Sequence, residues 1–300
     1  MDTVEPDDVR DMGCTAGREA QSGIIVLFFG GPSYDTAVQS YGTRLPGGTG
    51  SLVSVDQIEA AAKAWADGYW SCKLSETAKV TLAIATSNNG NEVNATHGRE
   101  WAGMINRIGS YIQNEGYRPQ IAIAGATNIE LLWNGPDATI AWVDGYESVN
   151  NHAFYNVGAC EGCPYARRPL PDPNQAIFGI DWTLEDIWYV SWGSPAARPL
   201  PQIYATSGVN AEQWQYLADW ALNIKGSRMR FAGSFTQRQA CDTLDNPAPD
   251  CTGEDGELGT NDDRNNTPEE GWRHLWIQLN RDDDTGQTPP FATDVNWPGR

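Results

Sequence analysis

The chain has 300 residues, 40% of them hydrophobic, with 13 Trp, 11 Tyr and a formal charge of −19. That length allows one large α/β domain or two small ones. The charge argues against nucleic acid or an anionic membrane as partner, because both need basic patches, and no apolar run approaches the roughly 18 residues of a membrane-spanning helix.

In chain order, residues 1–22 are polar and acidic and read as an irregular arm ahead of a single domain over 23–300. They do not form a signal peptide, so an exported form would have lost its leader. Gly23 to Pro32, GIIVLFFGGP, reads as the first strand, with Ser33, Tyr34 and Asp35 just beyond, and a Gly-rich loop follows over Gly42 to Gly50. Ser54 and Gln57 form a capping box for a helix whose Ile58, Ala62, Trp65 and Tyr69 repeat at helical spacing. The second strand, Lys79 to Thr86, delivers Ser87, Asn88, Asn89 and Glu92, and the next helix carries Trp101, Met104, Ile105, Ile108 and Ile112 on one face. The third strand is the most informative stretch. From Pro119 it runs apolar through Ile121 to Ala124, breaks at Gly125-Ala126, and ends in Thr127, Asn128, Glu130 and Trp133. A buried parallel strand that hands polar side chains to its carboxyl edge has this pattern.

The pattern recurs. Ile140, Trp142, Val143 and Asp144 lie on a helix, Ala153 to Ala159 forms a fourth strand with Asn156, and residues 164–175 make a Pro-rich loop. Trp182 precedes a short helix opened by Thr183 and Asp186. Pro201 to Thr206 is a fifth strand with Tyr204, and Asn210 then caps a helix bearing Trp214, Leu217 and Trp220. Ser227 to Thr236 is a sixth strand, followed by Gln237. An acidic loop spans residues 241–266, and Thr267-Pro268-Glu269-Glu270 opens a last helix on which Trp272, Leu275, Trp276 and Leu279 are expected to form a buried stripe.

Six strand-then-helix units imply a parallel sheet. No GxGxxG or GxxxxGK[ST] follows a strand, and the polar residues are spread over many strand ends. A TIM-like (β/α) barrel, irregular in places, is therefore expected, with an open doubly wound parallel sheet as the alternative. The expected rim is Tyr34, Asp35, Asn88, Asn89, Glu92, Asn128, Glu130, Asn156, Tyr204, Thr206 and Gln237. Its amides, hydroxyls and few carboxylates suit a polyhydroxylated ligand, and these positions hold neither the Arg or Lys of a phosphate site nor the His of a metal hydrolase.

Glycoside cleavage commonly uses two carboxyl groups. Glu130, ending an apolar strand, is the expected general acid/base, and Asp35 the expected second carboxylate, with Glu92 and Asp181 as competitors. Against this stands the plainer reading that Glu130 caps a helix or pairs with an Arg. Most Trp residues fall on helical stripes, so Trp133 and Trp182 are the expected sugar platforms. The alternative function is a non-catalytic barrel that binds a glycan or a protein at the cell surface. Six cysteines fit disulfides and an oxidising, secreted or cell-surface location, pairing Cys160 with Cys163, Cys241 with Cys251 and, as the remainder, Cys14 with Cys72. No cofactor is expected. Asp255, Glu257, Asp262 and Asp263 offer oxygens for a structural calcium but lack EF-hand order, and a solvated loop is favoured. A monomer is expected.

The blocks AGATNIELLWN, AWVDGYESVN, DIWYVSWG, PQIYATSG and NTPEEGW resemble those of exported bacterial proteins with a glycoside-hydrolase-like barrel. In general layout the chain also resembles the lysozyme-like barrels of glycoside hydrolase family 25. The Asp-x-Glu strand motif of that family stands here as Asn128-Ile129-Glu130. The resemblance implies a TIM-type fold and a carbohydrate substrate, and no residue roles.

Overall fold

A computed structural model describes residues 1, 3–46, 50–165, 181–242 and 249–295; most of the Pro-rich loop, part of the Gly-rich loop and 243–248 of the acidic loop lie outside them. The chain forms two compact units. The first comprises Met1–Asn128, Asp137–Tyr155 and Ser194–Ala196, the second Ile129–Pro136, Asn156–Gly193 and Ala197–Arg300.

In the first unit the expected irregular arm is a helix, α1 (Pro6–Arg18), with Pro in its first turn, Asp7 and Asp8 at its positive end and Arg18 in its last turn. β1 (Gly23–Phe28) is shorter than expected because Gly30, at φ +85°, turns the chain into an antiparallel sheet. That sheet consists of β2 (Gly31–Asp35), β3 (Ser40–Arg44) and β4 (Val53–Ser54). The Ser54–Gln57 capping box then opens α2 (Val55–Cys72) as expected. α1 and α2 approach through glycine. A Cβ on Gly13 would stand 2.1 Å from the Trp65 carbonyl oxygen, and one on Gly68 2.0 Å from that of Arg10. The Cys14–Cys72 disulfide fastens the same pair.

β5 (Val80–Ser87) pairs in parallel with β1, Gly23 opposite Val80, and β6 (Ile121–Asn128) pairs in parallel with β5, Val80 opposite Ile121. The Gly125 N–H donates to Ala153 O, just ahead of β7 (Phe154–Asn156). α3 (Ala95–Asn114) and α4 (Pro136–Glu147) connect these strands. Trp65, Trp101, Trp142, Tyr69 and Tyr146 are fully buried. His97 on α3 is buried with them. Its Nδ1 accepts from Trp142 Nε1 at 2.9 Å, which leaves Nε2 to donate to Gly42 O at 2.9 Å. Burial in this setting pushes the imidazole down to about 4.

The second unit continues the pattern with shorter strands. α5 (Leu184–Trp188) runs into a π-helical turn at Tyr189–Gly193, followed by β8 (Ala197–Pro199) and α6 (Val209–Lys225). Next come β9 (Gly233–Thr236), α7 (Arg238–Asp242), α8 (Pro249–Thr252), α9 (Pro268–Leu279) and β10 (Phe291–Asp294). Leu200 N–H donates to Asn156 O and Gln202 N–H to Gly158 O; Ile203 N–H then donates to Phe235 O, and β9 pairs in parallel with β10. The ladder expected at Pro201 to Thr206 starts earlier and is broken, because Pro199 and Pro201 have no N–H to donate. Cys160 pairs with Cys163 and Cys241 with Cys251.

In both units, parallel neighbours follow the order of the sequence with helices between them. The protein is an α/β fold with a TIM-like (β/α) succession; a doubly wound sheet would reverse its strand order at a switch point. Among the described residues, no helix is long and apolar enough to cross a membrane.

Candidate active site

Glu130 lies two residues past β6, in the second unit, flanked by the buried Ile129 and Leu131. Its carboxylate is half-buried, and Oε1 accepts from Gln202 Nε2 at 2.7 Å. Gln202 is itself buried, on the segment that follows β8, with its backbone N–H on Gly158 O. An acid delivered by one strand end is thus oriented by an amide from another. Asn156 is buried nearby in sequence to Gly158. Its Nδ2 donates to Ser191 Oγ at 2.8 Å and its Oδ1 accepts from Gly158 N–H at 2.9 Å, so its amide is built into the scaffold. Trp133 keeps 42% of its surface exposed, as a platform requires.

Further along the same unit, Tyr204 and Thr206 are half-buried. The Thr206 N–H donates to Asp263 O at 2.8 Å, and the buried Gln237 donates from Nε2 to Arg264 O at 2.7 Å. Asn266 Nδ2 donates to Ile203 O and Ala205 O at 3.0 and 2.9 Å, which ties the acidic loop's end to the strand-end segment. In that loop Asp262 accepts from Thr260 Oγ1 and from the Glu254 and Asp255 N–H groups, and these bonds, the threonine's first, draw its carboxyl down to about 2. Among the described residues, no cluster of three His, Cys, Asp or Glu is arranged to hold a metal ion.

The first unit holds the other expected rim residues, and several have structural work there. Asp35 does not end β1. It closes the β2–β3 hairpin, where its Oδ1 accepts from Ala37 N–H at 2.8 Å. Tyr34 packs on Tyr41 with ring centroids 4.6 Å apart. Asn88 is buried and donates from Nδ2 to Thr139 Oγ1 at 3.3 Å, whereas Asn89 is exposed. Glu92 is half-buried and accepts from Asn94 Nδ2 at 3.4 Å, and Asn128, the last residue of β6, is half-buried.

Trp182 needs correction as a platform. It is fully buried and donates from Nε1 to Asn134 O at 2.9 Å. Preceding the Thr183 N-cap, it occupies the outer position of a hydrophobic staple whose inner position, Ile187, is also buried. Sequence reasoning missed Gln202 and Ser191. Gln202 stands second in PQIYAT, where it passes for the polar start of a strand, and Ser191 sits inside the aromatic run DIWYVSW.

No family model and no curated protein matches this sequence. Among solved structures the chain is similar to the endo-1,4-beta-mannanase from Rhizomucor miehei, at 12% identity over 99% of this chain and 83% of that chain, with a TM-score of 0.41. A likeness of that size assigns neither family nor activity.

Proposed function

We propose that this chain is an exported carbohydrate-active enzyme that hydrolyses O-glycosyl bonds, with Glu130 as its acid/base. The observation that carries the reading is the Glu130–Gln202 pair, a half-buried carboxylate past a parallel strand, held at 2.7 Å by a buried amide. Fixed orientation is what a general acid needs to protonate a leaving oxygen and then draw a proton from water. The amides and hydroxyls in the same unit both donate and accept, as sugar hydroxyls do, and Trp133 supplies an exposed apolar face. Three disulfides fit an oxidising compartment.

The test is product release from mannan, xylan, cellulose, chitin and peptidoglycan. Glu130→Gln should lower turnover by about 10²-fold or more with an unchanged circular dichroism spectrum. Unchanged turnover would refute the assignment. Asp35→Asn asks in the same assay whether that carboxylate is the second acid.

A second reading, a non-catalytic glycan- or protein-binding module, is favoured by one observation: the Asp35 carboxylate is engaged in a hairpin turn. On that reading no glycan yields product, and Glu130→Gln changes affinity alone.

A further inference from the structure

The last helix and the segment before β10 build an aromatic surface in the second unit that shares no residue with the strand-end cluster. An open depression of about 540 Å³ is lined by Pro268, Glu269, Trp272, Thr288, Pro289 and Pro290. The Thr267–Glu270 capping box and Pro268 fix the start of α9, so Glu270 is consumed by the cap while Glu269 stays exposed. Trp272 is held by its one polar atom: Nε1 donates to Pro289 O at 2.8 Å. The ring is backed by Trp276, one turn on, with centroids 6.2 Å apart and planes 10° from parallel. What Trp272 leaves exposed is therefore apolar ring, already ordered before any ligand arrives, so binding loses little side-chain entropy.

We propose that this surface binds a neutral polysaccharide chain, with a pyranose ring stacked on Trp272 and its hydroxyls on the Glu269 carboxylate and the Thr288 hydroxyl. Charge selects this occupant. The single charged lining group is a carboxylate, and the chain carries −19, so an anionic polymer is repelled. A small organic cation calls for several aromatic faces around it, and here the half-buried Trp272 and the exposed Trp276 have planes 10° from parallel, a stack and not a cage. A sugar offers both an apolar C–H face and donors for the carboxylate.

Affinity electrophoresis in galactomannan, xylan and hydroxyethylcellulose tests this on the full chain and does not depend on catalysis. The wild type is expected to be retarded by at least one polymer. Trp272→Ala should weaken binding about tenfold or more, and Glu269→Gln, a surface change, should weaken it less. Urea midpoints check that each variant folds; should Trp272→Ala misfold, Trp276→Ala and Glu269→Gln decide. Retardation by none of the polymers, full retardation of Trp272→Ala, or retardation of those two substitute variants equal to the wild type's would overturn the proposal. So would binding of a decaproline peptide or of trimethyllysine in place of the polymers. Binding without any released product would sink the hydrolase reading and leave this one standing.

Discussion

The two units use the same (β/α) succession for different ends. In the first, β5 and β6 are eight residues each, and the buried polar groups answer one another: Trp142 to His97, His97 to Gly42, Asn88 to Thr139. In the second, the strands run three or four residues, and side-chain amides take over the work of the ladder, Asn266 on two carbonyls and Gln237 on another. Long ladders make a rigid frame. Short strands finished by side chains leave the ends variable in chemistry; Gln202 belongs to that second kind, whereas Glu130 follows the eight-residue β6.

The disulfides give the largest test of this contrast. Cys14→Ser with Cys72→Ser opens a bridge spanning 58 residues and should cost about 4 kcal/mol in urea unfolding, whereas opening the three-residue Cys160–Cys163 bridge should cost about 2 kcal/mol. Equal losses would erase the distinction. Acid comes next. His97 folds with its imidazole pushed down to about 4, below its ordinary 6.5, so the folded chain prefers it neutral. The unfolded chain takes up this proton first, and stability should fall by roughly 3 kcal/mol as pH drops from 6.5 towards 4. His97→Gln should flatten that stretch of the pH curve.

Asn266→Ala should cost about 2 kcal/mol by orphaning the Ile203 carbonyl and taking one of two donors from that of Ala205, which keeps the Gly208 N–H. Hydrogen exchange should show the loosening in the second unit and leave β5 and β6 protected. The smallest effect is expected for Arg10→Ala. It removes an exposed ion pair with Asp67 at 3.2 Å, and the urea midpoint should move by less than about 0.5 kcal/mol.

What the sequence disclosed follows the same division. β5, β6, α2 and α9 were legible because long apolar runs and capping boxes are local signals. α1 was not, because its buried face is Val9, Gly13, Cys14, Ala16 and Gly17, mostly residues too small to make a hydrophobic stripe. Its fit depends on a partner helix far along the chain, with Cys14 and Cys72 separated by 58 residues, beyond any periodicity window. The β2–β3 hairpin was hidden by the apolar run leading into it, and that moved Asp35 from a strand end to a turn. Glu130 was legible by position. Its partner was not, since the Gln202 contact joins residues 72 apart in sequence.

The Cys14–Cys72 bridge has a consequence for how the chain is made. Both cysteines, and all of β1 to α2, lie before the first residue of β5. A chain delivered from its N-terminus into an oxidising space can close this bond, with α1 seated on α2, before the strand that β1 must pair with has emerged. Parallel pairing is slow because a whole helix must be looped out first. Closing the bond early leaves β1 tethered at both ends during that wait, so oxidised chains should refold faster than reduced ones.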